Sequence, residues 1–482
     1  MIQNSIQFVL DNKIVEINFN DSPYTPTTTV LNYLRGLADH KGIKEGCAEG
    51  DCGACSVALA ALDGDNNLTY KACDACLIFL PMLHGKQLIT VENVGTSEEM
   101  HPVQQAMVDT DGSQCGYCTP GFIMSMFSVY KNHQNPSREV IDDALTGNLC
   151  RCTGYRPIIE ATAQACVHNG KDHFDEKEND IKKMLWDIKN NQATIHLITE
   201  NQEYYKPINL KDALTLRFQK PMALLISGAT DLALKVTKNK EVLPEIIDLS
   251  DIHSLQQIED LGKNIIIGSG AKLEEIKTYC KDLFPALYDT LAVFGSVQIR
   301  NLATLGGNLG SASPIGDTPP ILMAYDASVI VQSIRSERTL NLLDFITGYR
   351  STLLEKDEII SYIIIPKMED NVQVKWYKIS KRKDLDISTV SAGFRLVLDD
   401  NQVVQDIRLI YGGMAAMTKR ATEAENYLLG KKWERPHIEH AMTLIDKAFT
   451  PISDARSSKE GRAVMARNLL LKFWSETSLV NS

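Results

Sequence analysis

The sequence predicts a multidomain α+β protein, and three observations support this class. At 482 residues the chain is longer than one hydrophobic core usually supports, so about three or four domains are expected. Along most of the chain, segments with strand-like alternation of apolar residues come between segments with helical spacing. A strongly charged stretch at 169–191, with few apolar residues before Ile181, separates a first half from a second.

The first 90 residues predict a small domain of two hairpins and one helix. Residues 1–20 show alternating apolar positions around a turn at Asp11-Asn12, which indicates two strands. A helix is expected over 29–37, after a Thr-rich cap region. A Gly- and Cys-rich loop follows, and then two more strands with a turn at Asp63-Gly64, the second ending near Val94.

Residues 91–168 predict a helical domain, and 169–196 a solvated linker. The helical segments are HPVQQAMVD, GFIMSMFSVYKNH, SREVIDDALTG and PIIEATAQACVHN, with Cys-containing turns between them. The linker is expected because charged residues dominate it and few apolar residues could be buried there.

The second half predicts a mixed α+β domain at 197–370 and a C-terminal domain at 371–482. In the first of these, the expected strands are ALLISG, EIIDLS, NIIIGSG, ASVIVQS and EIISYIIIP, interspersed with helices such as LEEIKTYC. The C-terminal domain should contain three strands, helices near 421–429 and 437–449, and a tail.

Composition and charge exclude several function classes. A formal charge of −11 and no basic block argue against nucleic acid as a partner, because that affinity depends on clustered Lys and Arg. The N-terminus lacks the features of a signal peptide, and no stretch is long and apolar enough to span a bilayer. A cytoplasmic location is therefore expected, and there the eleven cysteines, mostly in tight groups, indicate metal rather than disulfides.

The first cysteine group predicts a 2Fe–2S cluster. Cys47, Cys52 and Cys55 have the spacing C-x4-C-x2-C, which with a more distant fourth cysteine is the plant-type ferredoxin pattern. Zinc usually takes paired C-x2-C units at other intervals. Nearby glycines allow the sharp turns and close backbone approach that a cluster loop requires. Spacing alone leaves the fourth ligand open between Cys73 and Cys76.

The second group joins Cys115-x2-Cys118 to Cys150-x-Cys152, in turns between predicted helices. A helical bundle could bring the two pairs together around another 2Fe–2S cluster, although four thiolates also suit a structural zinc. Cys166 and Cys280 stand alone and are expected to be buried small hydrophobic residues.

Four motifs give the chain a family resemblance. GCAEGDCGACSV, ACL at 75–77, QCGYCTPG and LTGNLCRCTGYRPI resemble the iron–sulfur half of the molybdenum hydroxylases. The resemblance implies a β-grasp 2Fe–2S ferredoxin domain at 1–90 and a helical-bundle 2Fe–2S domain at 91–168. It also implies Cys76 as the fourth plant-type ligand, with Cys73 an extra thiol. The ligands of the second cluster, nearer the molybdopterin, would be Cys115, Cys118, Cys150 and Cys152.

Two Gly-rich stretches in the second half indicate phosphate binding. LLISGATDLALKV places a glycine at the end of an apolar strand, and FGSVQIRNLATLGGNLGSASPIGD is dense in Gly, Ser and Thr. Glycine lets the backbone approach a pyrophosphate, and N–H and hydroxyl donors stabilise its charge, although such loops are also common as plain turns. GSGAKL at 268–273 begins like a Rossmann fingerprint but has Leu273 in place of the third glycine.

The resemblance continues through this half, where both stretches resemble the FAD-binding segments of a vanillyl-alcohol-oxidase-type flavin domain, followed by a C-terminal α+β flavoprotein domain. Carried over by position, the first segment implies contacts from Leu225, Ile226, Ser227, Gly228, Ala229, Thr230, Asp231 and Leu232. The second implies Phe294, Thr304, Gly307, Asn308, Ser313 and Asp317, with Ile360 and Lys378 further downstream. Asp317 is the candidate for a ribose or ring contact, although a turn-capping role would account for it equally without the family.

The resemblance implies a function in electron transfer. A molybdopterin-binding large subunit would oxidise a purine such as hypoxanthine or xanthine, and electrons would pass through two 2Fe–2S clusters to FAD and then NAD. No candidate acid, base or nucleophile set is expected on this chain. A dimer of heterodimers is expected from the family alone. Alternatives are a related aldehyde or N-heterocycle hydroxylase, O2 as the acceptor, and a zinc-binding regulatory or scaffold protein.

Overall fold

The computed structural model describes residues 4–167, 170–190 and 194–478. Its contacts divide into two compact units, and each is described by itself. The first unit comprises the residues up to Leu216, together with Met222–Ile252 and Gly295–Ala303. The second comprises Arg217–Pro221, His253–Phe294 and the residues from Thr304 onward.

The first unit begins with a five-stranded sheet and a helix. Its elements are β1 (Ser5–Leu10), β2 (Lys13–Asn18), α1 (Val30–Gly36), β3 (Ser56–Leu62), β4 (Leu68–Asp74), β5 (Gln87–Ile89) and α2 (Val91–Val94). The strand order is β2-β1-β5-β3-β4, with β1 and β5 parallel and the other neighbours antiparallel. The predicted hairpins and helix are confirmed, but the strand after the Asp63-Gly64 turn ends at Asp74, and a separate short strand, β5, and the helix α2 lie where it was expected to continue towards Val94.

Four helices follow, as predicted, and they pack around an apolar core. They are α3 (Pro102–Asp109), α4 (Thr119–Asn132), α5 (Arg138–Leu145) and α6 (Arg156–Ala165). Phe122, Phe127 and Ile158 are fully buried in that core. The turns before α4 and before α6 carry the second cysteine group.

The segment predicted to be a solvated linker is largely helical. Helix α7 spans His173–Asn190 and buries Phe174, Ile181, Leu185 and Ile188. The last three pack with Val9 of β1. The linker was predicted to be solvated, and this was wrong for its apolar residues because positions 181, 185 and 188 fall on one helical face, and burial of that face stabilises the helix despite its charge. Residues 169 and 191–193 of the predicted linker, and residue 168 at the end of the predicted helical domain, lie outside the described residues.

The first unit also contains a four-stranded sheet. Its elements are β6 (Ile195–Ile198), β7 (Glu203–Lys206), α8 (Leu210–Gln219, whose end belongs to the second unit), β8 (Leu224–Ile226), α9 (Ala233–Thr237) and β9 (Glu245–Asp248). The strand order is β6-β7-β9-β8, with β9 parallel to both of its neighbours. Strand β8 ends at Ile226, within the first predicted flavin segment, and the rest of that segment forms the loop to α9.

The second unit contains a five-stranded antiparallel sheet with helices. The chain order is β10 (Ile258–Asp260), β11 (Asn264–Gly268), α10 (Leu273–Cys280), α11 (Pro285–Ala292), α12 (Val297–Arg300, which belongs to the first unit), α13 (Leu305–Ser311), α14 (Thr318–Ala324), β12 (Ser328–Gln332), β13 (Glu337–Asn341), α15 (Leu342–Phe345), β14 (Ile346–Gly348), β15 (Ser351–Thr352) and β16 (Ile359–Pro366). The sheet order is β10-β11-β16-β12-β13. The predicted helix LEEIKTYC coincides with α10.

The C-terminal part of the second unit packs helices against an antiparallel sheet. Its elements are β17 (Val372–Ile379), β18 (Val390–Leu398), β19 (Val404–Gly412), β20 (Lys419–Arg420), α16 (Thr422–Leu428), α17 (Arg435–Ala448) and α18 (Lys459–Ser478). The predicted tail is instead mostly the long helix α18. Ala466, Leu469, Leu470 and Phe473 recur at helical spacing on its buried side, and this burial stabilises the helix.

Candidate functional site

The first cysteine group lies in the loop between α1 and β3 and in the turn after β4. Its four candidate ligands form two pairs, in which Cys47 hydrogen-bonds with Cys52 and Cys55 with Cys76. The pair of Cys55 and Cys76 is buried, whereas Cys47 and Cys52 are partly exposed. The fold thus brings together the four cysteines that the resemblance implied.

Backbone amides converge on the sulfur of Cys47. The N–H groups of Glu49 and Asp51 donate to Cys47 Sγ over 3.4 and 3.3 Å. The hydrogen bond from Cys52 and these backbone donors outweigh burial and lower the pKa of Cys47 to about 5. The thiolate is the form of cysteine that binds a metal, so Cys47 is in the ligating form at neutral pH, whereas the hydrogen bond with Cys47, followed by burial, raises the pKa of Cys52.

A fully buried carboxyl lies beside the other pair. Cys55 Sγ is 3.8 Å from Asp74 Oδ1, and the side chain of Asp74 is inaccessible to solvent. Burial, and then the negative charge of Cys47, raise the pKa of Asp74 well above its usual range. The pKa of Cys55 is also raised, first by its hydrogen bond with Cys76 and then by burial.

The second cysteine group lies where α4 and α6 begin. Cys118 hydrogen-bonds with Cys150, and Cys115 with Cys152. The outer pair, Cys115 and Cys152, is exposed, and the inner pair is partly buried. Burial, followed by the bond with Cys150, raises the pKa of Cys118 to about 12. The N–H of Cys152 donates to Cys150 Sγ over 3.4 Å.

Both groups have the donor set and pairing that a 2Fe–2S cluster requires. Such a cluster takes two thiolates on each of its two irons, whereas one tetrahedral zinc ion gathers four ligands around a single centre. Within the described ranges, no three or more His, Cys, Asp or Glu side chains are grouped to hold one ion. The glycines of the first loop fit as well, since Gly50 and Gly53 have φ of +79° and +64°.

The remaining three cysteines are buried thiols. Cys73 lies in β4 opposite Val57, and Cys166 and Cys280 are fully buried, which confirms the expectation for the last two. Burial alone raises the pKa of Cys166 to about 11 and that of Cys280 to about 12, so both thiols are protonated at neutral pH.

The first predicted flavin segment lies in the first unit, at the end of β8. Leu225 and Ile226 are the last residues of that strand, and residues 227–232 form the loop to α9. A Cβ at Gly228 would collide with the carbonyl oxygen of Leu302, so only glycine fits this close approach. Ser227 Oγ is buried without a hydrogen-bond partner, as expected for a donor that serves a bound group.

The second predicted segment lies mainly in the second unit, around α13. Thr304 caps this helix and accepts from the N–H of Gly307 over 3.2 Å, while Asn308 Oδ1 accepts from Thr318 Oγ1 over 2.6 Å. Phe294 follows α11, and Ser313 lies between α13 and α14. The Gly-rich turn of this helix presents backbone groups with little side-chain cover, which suits a phosphate-bearing ligand.

Asp317 is held by two side chains of the second unit. Lys378 Nζ contacts Asp317 Oδ2 at 2.8 Å, and Ser388 Oγ donates to Asp317 Oδ1 over 2.5 Å. Asp317 and Ser388 are buried, and Ile360, at the second position of β16, is buried too. The sequence analysis did not identify Ser388 as a site residue. It lies ten residues after Lys378, in a polar stretch that precedes β18, and this is a weak local indication of a role.

Among the residues that the structure describes, no helix is both long and apolar enough to cross a membrane.

Three family models match consecutive parts of the chain. Residues 90–163 match the 2Fe-2S binding domain, and residues 199–368 match the FAD binding domain in molybdopterin dehydrogenase. Residues 375–477 match the CO dehydrogenase flavoprotein C-terminal domain. These models follow the order of the second cysteine group and the flavin segments described above.

Curated relatives include proteins named xanthine dehydrogenase and xanthine dehydrogenase/oxidase. Xanthine dehydrogenase of Emericella nidulans is 32% identical over 502 residues, which cover 92% of this chain and 36% of the relative. Xanthine dehydrogenase/oxidase of Gallus gallus is 30% identical, over 97% of this chain and 39% of the relative. The chain therefore spans under two-fifths of the length of either relative.

Solved structures share the fold of more than half of the chain. Carbon monoxide dehydrogenase of Hydrogenophaga pseudoflava superposes with a TM-score of 0.54 at 23% identity, over 57% of this chain and 96% of that one. Quinoline 2-oxidoreductase of Pseudomonas putida 86 gives 0.52 at 22% identity, over 57% and 95%. With the paired cysteines, the flavin segments and the family models together, the chain is a member of the molybdenum hydroxylase family, with the 2Fe–2S, FAD-binding and C-terminal flavoprotein domains of that family.

Proposed function

We propose that this chain is the electron-transfer part of a xanthine dehydrogenase. The observation that carries the proposal is the presence, in one compact unit, of two separate four-cysteine groups, each arranged as two pairs. The relatives named xanthine dehydrogenase favour a purine as the substrate of the complete enzyme. The domains are proposed to divide at the boundaries expected from the sequence, with α7 between the iron–sulfur and flavin halves.

The cofactors proposed are two 2Fe–2S clusters and FAD, with NAD as the final electron acceptor. The clusters would carry single electrons, and FAD would convert them to the two-electron hydride chemistry that NAD requires. The ligands of the first cluster would be Cys47, Cys52, Cys55 and Cys76. Those of the second would be Cys115, Cys118, Cys150 and Cys152. The flavin contacts proposed are those expected from the sequence, and within the second unit Asp317 is fixed by Lys378 and Ser388.

A molybdopterin-binding subunit is the proposed partner, and it would dock near the exposed pair of the second group. Cys115 and Cys152 are exposed, and three large side chains around them, Tyr117, Leu149 and Tyr155, are also exposed. Apolar and aromatic side chains gathered at a surface are typical of protein interfaces. Electrons would enter the chain at this surface and leave it at the flavin. A cytoplasmic location is proposed with this role.

Cys118→Ser tests the relay. We expect the variant to lose purine-dependent reduction of NAD while retaining FAD, because one thiolate of the second cluster is removed. Oxidation of NADH with an artificial dye should survive, since that reaction needs only the flavin. Normal purine turnover in the variant would contradict the relay, and replacing hypoxanthine by an aldehyde in the same assay tests the substrate.

Cys76→Ser and Cys73→Ser form a matched pair for the first cluster. Both cysteines are buried and lie three residues apart, but Cys76 hydrogen-bonds with Cys55. We expect Cys76→Ser to lose the iron and the visible absorption of one cluster, and Cys73→Ser to retain both. The opposite result would assign the ligand to Cys73. A colourless, zinc-containing wild-type protein would overturn the cluster proposal altogether.

A further inference from the structure

A buried polar network in the first unit joins three segments that are distant in sequence. Gln298 of α12 donates from Nε2 to Ser125 Oγ over 2.8 Å and to Asn148 Oδ1 over 3.0 Å. Ser125 in turn donates to Asn148 Oδ1 over 2.6 Å. The exposed fractions of Gln298, Ser125 and Asn148 are 0%, 1% and 2%. These three residues are called the Gln298 network below.

The Gln298 network reaches both cysteine loops. Asn148 Nδ2 donates to the carbonyl of Gly53 over 3.0 Å, and Gly53 follows Cys52 directly. The next residue, Leu149, donates its backbone N–H to the carbonyl of Cys52 over 3.0 Å, and Cys150 follows Leu149. One backbone hydrogen bond therefore links Cys52, a candidate ligand of the first group, to Leu149, the residue next to Cys150 of the second group.

The surroundings of this link leave little room for movement. A Cβ at Gly121, three residues after Cys118, would collide with the carbonyl oxygen of Gly53. Helix α4 therefore packs directly against the backbone of the first cysteine loop. A displacement of either loop would have to open this contact as well as the hydrogen bond from Leu149.

Helix α12, which supplies Gln298, is itself fixed on the first unit. The guanidinium of Arg300, which is fully buried, contacts both carboxylate oxygens of Asp143 at 2.7 and 2.8 Å. Asn301 Nδ2 donates to the carbonyl of Ala72 over 2.9 Å. Both contacts come from Nη2, and because a charge-assisted hydrogen bond is stronger than a neutral one, this pair holds the helix more firmly than a neutral bond would. Gln298 is thus presented to the cysteine loops from an anchored element.

We propose that Gln298, Ser125 and Asn148 are positioning residues that hold the two cysteine loops at one fixed separation and orientation. A buried hydrogen-bond network with little access to water strengthens its members mutually and specifies one arrangement. Without the amide of Gln298, the buried oxygens Ser125 Oγ and Asn148 Oδ1 would each lose one hydrogen bond. A buried polar atom that lacks a hydrogen bond lowers the stability of the fold unless a water molecule replaces the lost donor. The loops would then sample more than one arrangement. The positioning role depends on the proposed function only in its magnetic test, which needs both clusters; the hydrogen-exchange test does not.

Gln298→Ala in the full chain with its cofactors is the test. Hydrogen exchange of the Leu149 amide, which donates to Cys52, should become several-fold faster. The magnetic coupling between the two dithionite-reduced clusters, measured by electron paramagnetic resonance, should weaken or broaden. Iron and FAD contents should stay at wild-type levels, because no ligand is altered.

Gln202→Ala is the matched control. Gln202 is 5% exposed and lies in the first unit; it donates from Nε2 to the carbonyl of Leu243 over 2.9 Å and accepts from Thr27 Oγ1 over 3.0 Å, and both partners lie outside the Gln298 network. The control should leave both the Leu149 exchange rate and the magnetic coupling unchanged. Equal acceleration of Leu149 exchange in both variants would mean general destabilisation and would overturn the positioning role.

A milder variant keeps the test decisive if Gln298→Ala fails to fold. Ser125→Ala removes one hydroxyl and should accelerate Leu149 exchange in the same direction by a smaller factor. Wild-type exchange and wild-type coupling in either folded variant would refute the proposal. Absence of two cluster signals in the wild-type protein would instead overturn the proposed function, while the exchange rates would still decide the positioning role.

Discussion

Lys206→Met removes the centre of a buried ion network in the first unit. Lys206 Nζ lies 2.9 Å from Asp248 Oδ2, 3.0 Å from Asp251 Oδ2 and 2.9 Å from Ser250 Oγ. The side chains of Lys206 and Asp248 are only 3% and 0% exposed. Burial alone would lower the pKa of Lys206, but the two carboxylates outweigh it and raise that pKa, so the side chain is charged at neutral pH.

The size of the effect follows from the burial of Asp248. Methionine retains most of the apolar stem of lysine but leaves this carboxylate without its cation. Breaking a buried ion pair costs about 3–5 kcal/mol, which is a large share of the roughly 5–15 kcal/mol by which domains are stable. We expect the free energy of opening of β7 and β9 to fall by about 3–5 kcal/mol. Native-state hydrogen exchange of their amides measures this quantity directly.

Two further variants separate the buried charge from general damage. The double variant Lys206→Met/Asp248→Asn should regain much of the loss, because the side chain at 248 is then uncharged and Asp251 keeps its ion pair with Lys86. Arg138→Met, which breaks an exposed helical pair with Asp142, should leave exchange in β7 and β9 unchanged. Wild-type exchange rates in Lys206→Met would refute the reasoning.

Three other perturbations have defined outcomes. Gly228→Ala should destabilise the first unit and release FAD on gel filtration, because its Cβ would collide with the Leu302 carbonyl; full retention of flavin would contradict this. Burial lowers the pKa of His84 to about 4. The His84 imidazole therefore takes up a proton below about pH 6.5 in the unfolded chain but only below about pH 4 in the folded protein. Acidification thus favours the unfolded chain, and the free energy of unfolding should fall by up to about 3 kcal/mol between pH 6.5 and 4. Urea titrations should show less of this fall in His84→Asn, and an identical pH profile would exclude His84 as its source. Ser388→Ala should weaken FAD retention at unchanged iron content, because Asp317 loses a donor; unchanged flavin affinity would argue against that role.

Local sequence patterns predicted much of the fold and the cysteine groups. The helix at Leu273–Cys280 and the hairpin around Asp11 depend on apolar periodicity and turn chemistry, both of which are local. The cysteine spacing likewise reflects a requirement within one loop, so it indicated the first group without any tertiary information. The choice of Cys76 needed the family resemblance, since Cys73 satisfies the same spacing argument.

Other features could not be read from local patterns. In α7 the density of charge concealed three apolar residues on one face, and their burial against β1 decided the structure. The bonds of Gln298 to Ser125 and Asn148 join residues 173 and 150 positions apart. The bond of Ser388 to Asp317 spans 71 positions. Such pairings depend on the tertiary fold, which one sequence without an alignment does not specify.

The return of residues Gly295–Ala303 to the first unit has a consequence for biosynthesis. During translation the two cysteine loops emerge long before α12, so Ser125, Asn148 and Asp143 await partners that the ribosome adds about 150 residues later, at roughly 5–20 residues per second. The nascent iron–sulfur half therefore carries an uncovered polar surface for some seconds. A truncated chain ending at residue 252 would keep that surface permanently, and its folding yield should improve when a peptide of residues 295–303 is supplied in trans.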